Sequence, residues 1–345
     1  MDPITHTVLG ASCGYALYHR QLGRRAVAVG ALAGATPDID VFIRSATDPL
    51  LTVELHRHFT HALPFAPVGA LIVASLWFLR PSLRQDWKPL WLCALVAYVS
   101  HCLLDAATSY GTLLLWPFTR HRFGLDAISI IDLLFTVPLL VSLIFGVVKQ
   151  RAKFVQAGLA WGAAYMLLGI VQHQRALGVQ SQLAQARGHS IERREVMPTM
   201  ANNVVWRSLY LVDGQLYSDR IRVGWFSGVI VREGTHLPLV TVKELTEAEQ
   251  GRNAVGNQFG RFAWFSEGWV ARSPVDASVL GDMRYSLSTK AFDPIWGIRF
   301  TPEGSVSAVE WVNRSRQRKI DGKEFWAEIV GRGEGYKSIP GAKNF

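Results

Sequence analysis

The stretch PLWLCALVAYVSHCLLDAAT, residues 89–108, decides how the chain is read. It is almost unbroken apolar sequence, of the length an α-helix needs to cross a hydrocarbon core about 30 Å thick. Yet it carries His101 and Asp105 in its last third. Four residues apart on a helix, these side chains leave the same face about one turn from each other. An unpaired Asp in such a span costs roughly 2.5–3.5 kcal/mol on insertion scales, so a compensating partner is expected. A metal ion shared with His101 would compensate both; a buried His–Asp hydrogen bond, or an ion pair with Arg120 or Arg122, would also serve.

Working outward, residues 62–79, 128–148 and 154–171 have similar length and apolarity, which makes four clear transmembrane spans. Two shorter Gly/Ala-rich stretches precede them, residues 4–18 and 26–36, suited to packing against other helices as a tight pair, spanning or partly re-entrant. Residues 1–175 are therefore expected to form an α-helical membrane bundle of about six helices. Residues 176–198 read as a polar helix extension or linker, bounded by Pro198. From 199 to 345 the pattern changes to a small, mostly-β soluble domain: VVWRSLYLVDGQLYSDRIRVGWF (204–226) reads as two strands around Asp213-Gly214, and WGIRFTPEGSVSAVEWV (296–312) as two more around Pro302-Glu303-Gly304.

The connections HRQLGRR (19–25), RPSLRQDWK (80–88) and KQRAK (149–153) are short and basic, and alternation of six helices puts all three on one side. The positive-inside rule makes that side cytoplasmic, in a bacterial-type inner membrane, and sends the loops 37–61 and 109–127 and the β domain outside. Arg120 and Arg122 run against this assignment and are outweighed by the three concordant loops. The N-terminus lacks a basic segment and a cleavage site, so the first helix is expected to be retained. Cys13, Cys93 and Cys102 lie in apolar segments and read as small buried hydrophobes. The net charge of +9 is spread along the chain and partly explained by topology, so no nucleic-acid partner is expected.

The chelating residues of the first half cluster in few places, all at outer helix ends or outer loops under this topology. Asp38 and Asp40, in TPDID, can bind a cation or act as a solvated turn. His56 and His61, in HRHFTH, are the functional candidates of that motif, with His58 less so; neutral imidazole suits zinc and other divalent ions. His6 stands alone at a helix start. Asp126 and Asp132 open the fifth helix, where capping also suits a carboxylate, and Arg120 and Arg122 can hold an anion or pair with these acids.

In order, MDPITHTVLGA, GATPDID, HRHFTHA, HCLLDAATSYGTLLLWPF and LDAISIIDLLFT resemble the YdjM-like family of membrane-bound metal-dependent hydrolases, distant relatives of zinc-dependent phospholipase C. The resemblance covers about residues 1–170. It implies metal roles for His6, for one or both of Asp38 and Asp40, for His56 or His61, and for His101 and Asp105, with Asp126 and Asp132 nearby. The chain departs from the family in having His58 where Gly is usual and Ala62 where Ser is usual. The stretch PTMANNVVWRSLY (198–210) also resembles a segment that follows the membrane domain in some relatives. The chemistry implied is hydrolysis with one to three divalent ions, most simply zinc, acting on a phosphoester or lipid-linked substrate at the outer interface. Asp38 or Asp40 would take the proton from the attacking water, and Arg120 and Arg122 would hold the phosphate. Two rivals remain: a non-enzymatic metal-binding or metal-transport protein, and a membrane anchor presenting the β domain to an envelope partner.

Overall fold

The computed structural model describes residues 1–288, 291–317 and 321–338. The chain divides into two compact units: one of residues 1–43, 55–171 and 200–203, the other of residues 44–54, 172–199 and 204–345.

The first unit is helical. α1 (Pro3–Leu22) starts where the Asp2 carboxylate accepts the Thr5 N–H and Pro3 occupies the first turn, and it stops at Gly23, whose φ of 59° the helix cannot continue. α2 (Arg25–Ala35) returns against it. The two backbones touch: a Cβ at Gly30 would meet the Gly10 carbonyl oxygen at 2.3 Å, and one at Gly34 would meet the His6 oxygen at 2.5 Å. The Gly/Ala-rich composition thus produces the expected tight pair by allowing backbone contact. A 3₁₀ turn (Pro37–Phe42) follows. After the short helix α3 (Leu51–Leu55) and a second 3₁₀ turn (Phe59–His61) come α4 (Ala66–Ser75), α5 (Trp87–Ala106) and α6 (Leu133–Val148). α7 runs from Ala152 to Ala186, its residues up to 171 belonging to this unit.

Among the described residues, two helices, 81–106 and 152–186, are long and apolar enough to cross a membrane, and a third crossing results if the pair 51–61 and 66–79, bent by 83°, counts as one span. The expectation of four clear spans is not met in that form. The 128–148 stretch becomes a helix only from Leu133, because Asp132 caps it by accepting the Leu134 and Phe135 N–H groups, and it is left with 16 residues. Still, α6 exposes Leu133, Leu134, Val137, Val141, Ile144 and Phe145, a continuous apolar surface that lipid, rather than water, would cover.

The second unit is mostly antiparallel β. Residues 172–186 of α7 pack Ala176, Val179 and Leu183 against Val196, Trp206 and Ile221. One sheet has the order β1 (Arg193–Pro198), β2 (Val205–Val212), β3 (Gln215–Val223), β4 (Val229–Arg232) and β10 (Lys337–Ser338), with β5 (His236–Pro238) paired to β3. A second contains β6 (Val270–Ser273), β7 (Asp276–Asp282), β8 (Trp296–Phe300) and β9 (Val309–Asn313). Helices α8 (Glu247–Ala254), α9 (Gln258–Phe265) and α10 (Gly322–Val330) complete it. Both expected hairpins form. Val212 pairs with Gln215, and Asp213 and Gly214 take φ of 49° and 72°, the doubly left-handed turn whose twist matches paired strands. Phe300 pairs with Val309 across the second turn.

The domain reading needs two corrections. In the stretch 176–198, expected to be a polar helix extension or linker, the helix runs on to Ala186 and residues 193–198 form β1, which pairs along its whole length with β2. Residues 44–54, expected in an outer loop of the membrane half, group with the second unit, where Arg261 of α9 grips Asp48 at 2.8 Å and Glu54 at 2.7 Å.

Candidate metal centre

Four segments of the helical unit bring ionisable side chains to one buried place. α1 supplies His6, the Pro37–Phe42 turn supplies Asp38 and Asp40, the segment around the Phe59–His61 turn supplies His56 and His61, and the last turns of α5 supply His101 and Asp105. The turns are set by local chemistry. Pro37 starts the first, and the second is pinned to α5 by Tyr98, whose hydroxyl donates to the Thr60 carbonyl at 2.6 Å.

Asp38, His61, His101 and Asp105 each offer one donor atom within 4.8 Å of all the others. His101 Nδ1 lies 2.6 Å from the Gly34 carbonyl and donates its proton there, so Nε2 carries the lone pair. His61 Nδ1 lies 3.2 Å from Asp40 Oδ2 and donates to it, so Nε2 is the nitrogen that can face an ion. The two Nε2 atoms face each other at 2.9 Å. His61 Nε2 is 3.2 Å from Asp105 Oδ2 and 3.4 Å from Asp38 Oδ1, and His101 Nε2 is 3.4 and 3.7 Å from the same two atoms. These pairs can be satisfied by a proton held on His61 Nε2 or by a cation that takes its place. Among the described residues, the buried atoms Asp105 Oδ2 and His6 Nδ1 have no hydrogen-bond partner.

Donor atoms gathered at such spacing suit a cation. Zinc–ligand bonds of about 2.0–2.1 Å in a tetrahedron separate ligand atoms by about 3.3–3.4 Å, and five of the six pairs here fall at 2.9–3.7 Å. Two imidazoles and two carboxylates are a donor set suited to zinc or a comparable divalent ion.

Around this quartet, each remaining partner is held by hydrogen bonds. Asp105 Oδ1 receives His6 Nε2 and Arg57 Nη2, each at 3.0 Å, and contacts the Met1 amine. The His6 ring stacks on His101 with centroids 3.6 Å apart, fixing both planes. Asp40 is wholly buried and saturated: Oδ1 meets His56 Nδ1 at 2.9 Å, while Oδ2 accepts from the Arg57 N–H at 2.9 Å, Thr60 Oγ1 at 3.0 Å and His61 Nδ1. Burial pushes its carboxyl up, but the bonds from His56 and His61 prevail and hold it below the usual carboxylate range. Asp38 is likewise pushed up by burial, and the bond from His61 outweighs this and holds its carboxyl at about 2. It is the member of the quartet with a solvent-reachable side chain, 19 % exposed against none for His61, His101 and Asp105.

Of the residues singled out in the sequence, His6, Asp38, Asp40, His56, His61, His101 and Asp105 therefore meet. Asp38, Asp40 and His56 form a second group with donor atoms in mutual reach. Asp126 and Asp132 belong to neither group among the described residues. Asp132 caps α6 and accepts from the Tyr165 hydroxyl at 2.9 Å. Arg122 donates to the carbonyls of Tyr110 and Gly111, at 2.7 and 3.2 Å, and so ties down its own loop; Arg120 is exposed. His58 packs its ring near Trp116, at 5.2 Å.

Besides the Met1 amine, the site has a cationic side chain that the sequence did not single out, Arg57. Its guanidinium reaches Asp105 and donates to Thr108 Oγ1 at 2.8 Å, with the Tyr110 ring 4.7 Å away. Its backbone has φ of 59°, a left-handed conformation that costs an ordinary residue roughly 1–2 kcal/mol. Nothing in the spacing of HRHFTH announces this, because the cue is the backbone, not the side-chain pattern.

Residues 1–176 match the family model described as YdjM inner membrane protein. The chain is 31% identical over 139 residues to the uncharacterized protein YfhP of Bacillus subtilis (strain 168), an alignment covering 38% of this chain and 42% of YfhP. It is also 31% identical over 125 residues to the inner membrane protein YbcI of Escherichia coli (strain K12), covering 35% of this chain and 69% of YbcI. The chain thus spans less than half the length of YfhP. No solved structure matches it. Over the half that carries the His/Asp cluster and the apolar helices, the chain belongs to the YdjM inner membrane protein family.

Proposed function

We propose that the protein is a membrane-bound, metal-dependent hydrolase acting on a phosphoester, most simply a lipid-linked one, at the membrane–water interface. The observation that carries this reading is the meeting of two imidazole Nε2 atoms and two carboxylate oxygens at 2.9–3.7 Å in a buried cluster. Asp38, His61, His101 and Asp105 would hold the ion. Bound there, a divalent cation supplies Lewis-acid activation of water and of a phosphoryl oxygen.

The chain's own groups divide the remaining work. Asp40, through Thr60 and His61 Nδ1, fixes the tautomer and ring plane of His61. The Gly34 carbonyl does the same for His101. Arg57 balances the charge of Asp105. Asp38 is the base of choice: it is held ionised, it is reachable from solvent, and among the described residues its Oδ2 has no hydrogen-bond partner. Asp40 is the weaker candidate, since all its accepting positions face donors. In the membrane, crossings by the α4 segment, α5, α6 and α7, with the three basic loops inside, would put this site and the β domain on the outer side.

The test is metal analysis of detergent-purified full-length protein, prepared without chelators, beside His101→Ala and Asp105→Ala, followed by a screen of lipid phosphoesters. Stoichiometric transition metal in wild type, its loss in both variants, and hydrolysis that follows the metal are expected. Wild type free of metal would refute the reading and leave His61 as an imidazolium among acids. Metal without any hydrolysis would turn it into a binding or transport site.

A further inference from the structure

We infer that the tip of the β3–β4 hairpin, Gly224-Trp225-Phe226-Ser227-Gly228, is an aromatic finger that rests in the bilayer interface. Phe226 is fully exposed, at 101 %, and Trp225 is 36 % exposed. A single exposed aromatic on a soluble domain is unremarkable, and the inference rests on where this pair sits.

The tip is pinned to α7. Gln172 Nε2 donates to the Val223 carbonyl at 2.7 Å, and Arg175 Nη1 donates to the Gly224 carbonyl at 3.1 Å. Gln172 and Arg175 are in the first turn of α7 after its apolar stretch, which ends at Val171. At about 1.5 Å per residue, Arg175 lies only about 6 Å beyond that point. The interfacial zone of a bilayer is itself about 5–8 Å deep on each side, from a total of about 40–45 Å around a core of about 30 Å. Two hydrogen bonds therefore hold the tip at the level where a membrane-crossing α7 leaves the hydrocarbon, the level at which tryptophan is enriched in membrane proteins. The finger is braced to stay there: Arg222 Nη1 donates to Ser227 Oγ at 3.0 Å, and Arg175 also bonds Gln172 Oε1. The partly exposed Arg175 guanidinium is of the kind that reaches lipid phosphates at this depth. The partner is thus the bilayer itself, in the leaflet where α7 emerges.

The experiment uses the full-length chain in lipid nanodiscs with an environment-sensitive fluorophore on Phe226→Cys, on Trp225→Cys and, as the control, on Asp213→Cys. The Asp213 turn is at the other end of β3, about 30 Å away at about 3.3 Å per residue. Wild type, with only Cys13, Cys93 and Cys102, sets the background. Lipids brominated near the top of the acyl chains should quench the label at 226 and 225, with a blue-shifted emission, and leave 213 unaffected. Lipids brominated near the chain ends should quench all positions weakly. Equal quenching at 226 and 213 would overturn the inference. So would a shielded label at 226 that no brominated lipid quenches, which would signal a protein contact. Labelling at the exposed Phe226 removes no packed side chain, so a folding failure there is not expected, and Trp225→Cys gives an independent second reading.

Discussion

Replacing Asp40 separates the residue that orients a ligand from the residues that ligate. Its carboxylate accepts four hydrogen bonds, three of them on Oδ2 from buried donors. In Asp40→Asn the amide can keep its oxygen toward Arg57 N, Thr60 Oγ1 and His61 Nδ1 and turn its NH₂ group toward His56, which is 25 % exposed and can adjust. What is lost is charge, not contact, and a charged acceptor makes bonds about twice as strong as a neutral one. Loss of an outer partner of a metal-binding imidazole typically weakens affinity about 10–100-fold, or about 1.4–2.7 kcal/mol. Asp40→Asn should sit near the lower bound, about 10-fold, and Asp40→Ala, which leaves three buried donors without an acceptor, at the upper bound or past it. Both variants should still fill to the wild-type stoichiometry at saturating metal. His101→Ala, by contrast, removes a donor atom of the quartet and should not fill. The assay is chelator competition on purified protein, with metal content read by mass spectrometry. If Asp40→Asn loses the ion as completely as His101→Ala, Asp40 is itself a ligand; if Asp40→Ala binds with wild-type affinity, His61 needs no anchor. Either result refutes this division of roles.

Three further outcomes follow from the same geometry. Gly30→Leu puts a Cβ 2.3 Å from the Gly10 carbonyl oxygen, a backbone atom that cannot rotate away, so thermal denaturation in detergent should show a loss at least in the overpacking range of about 1–3 kcal/mol; an unchanged midpoint would mean that α1 and α2 do not touch there. Asp132→Ala removes the α6 cap and leaves the Tyr165 hydroxyl without its acceptor, for a loss of about 0.5–2 kcal/mol with metal content intact; a fall in bound metal would restore Asp132 as a ligand. Metal affinity should fall as pH drops from 8 to 5, because protons compete for the lone pairs of His61 and His101. Asp38 adds no inflection in that window: its carboxyl is depressed to about 2, so its contribution is complete above the unfolded value near 3.8 and is lost only as pH falls toward 2. Affinity that is flat between pH 8 and 5 would mean that imidazole does not ligate.

How far the sequence revealed the site depends on which kind of information placed each residue. His101 and Asp105 could be paired from their four-residue spacing, because one helix fixes their relation without any knowledge of the rest of the fold. The small hairpin turn at Asp213-Gly214 was legible for the same reason: two left-handed positions in succession select those residues locally. The convergence of His61 and Asp38 on that pair was expected from topology, and the structure brings them together at hydrogen-bond range. The division of labour between Asp38 and Asp40 was not legible. Two residues apart in one turn, they look equivalent as letters, and only the geometry of the Pro37–Phe42 turn aims one at four donors and the other at the open side.

Arg57 shows where such reading stops. A guanidinium between two histidines in a polar loop is usually a solvated charge, and nothing nearby marks it as buried. It becomes part of the centre because its backbone is left-handed, which turns its N–H toward Asp40 and lets its side chain run to Asp105. One residue thereby ties the carboxylate that orients His61 to the carboxylate that faces the proposed ion. The conformational strain of roughly 1–2 kcal/mol is offset by charge-assisted bonds of about 1.5–3 kcal/mol each at two carboxylates. The family's usual Gly at the next position, occupied here by His58, falls beside that strained peptide.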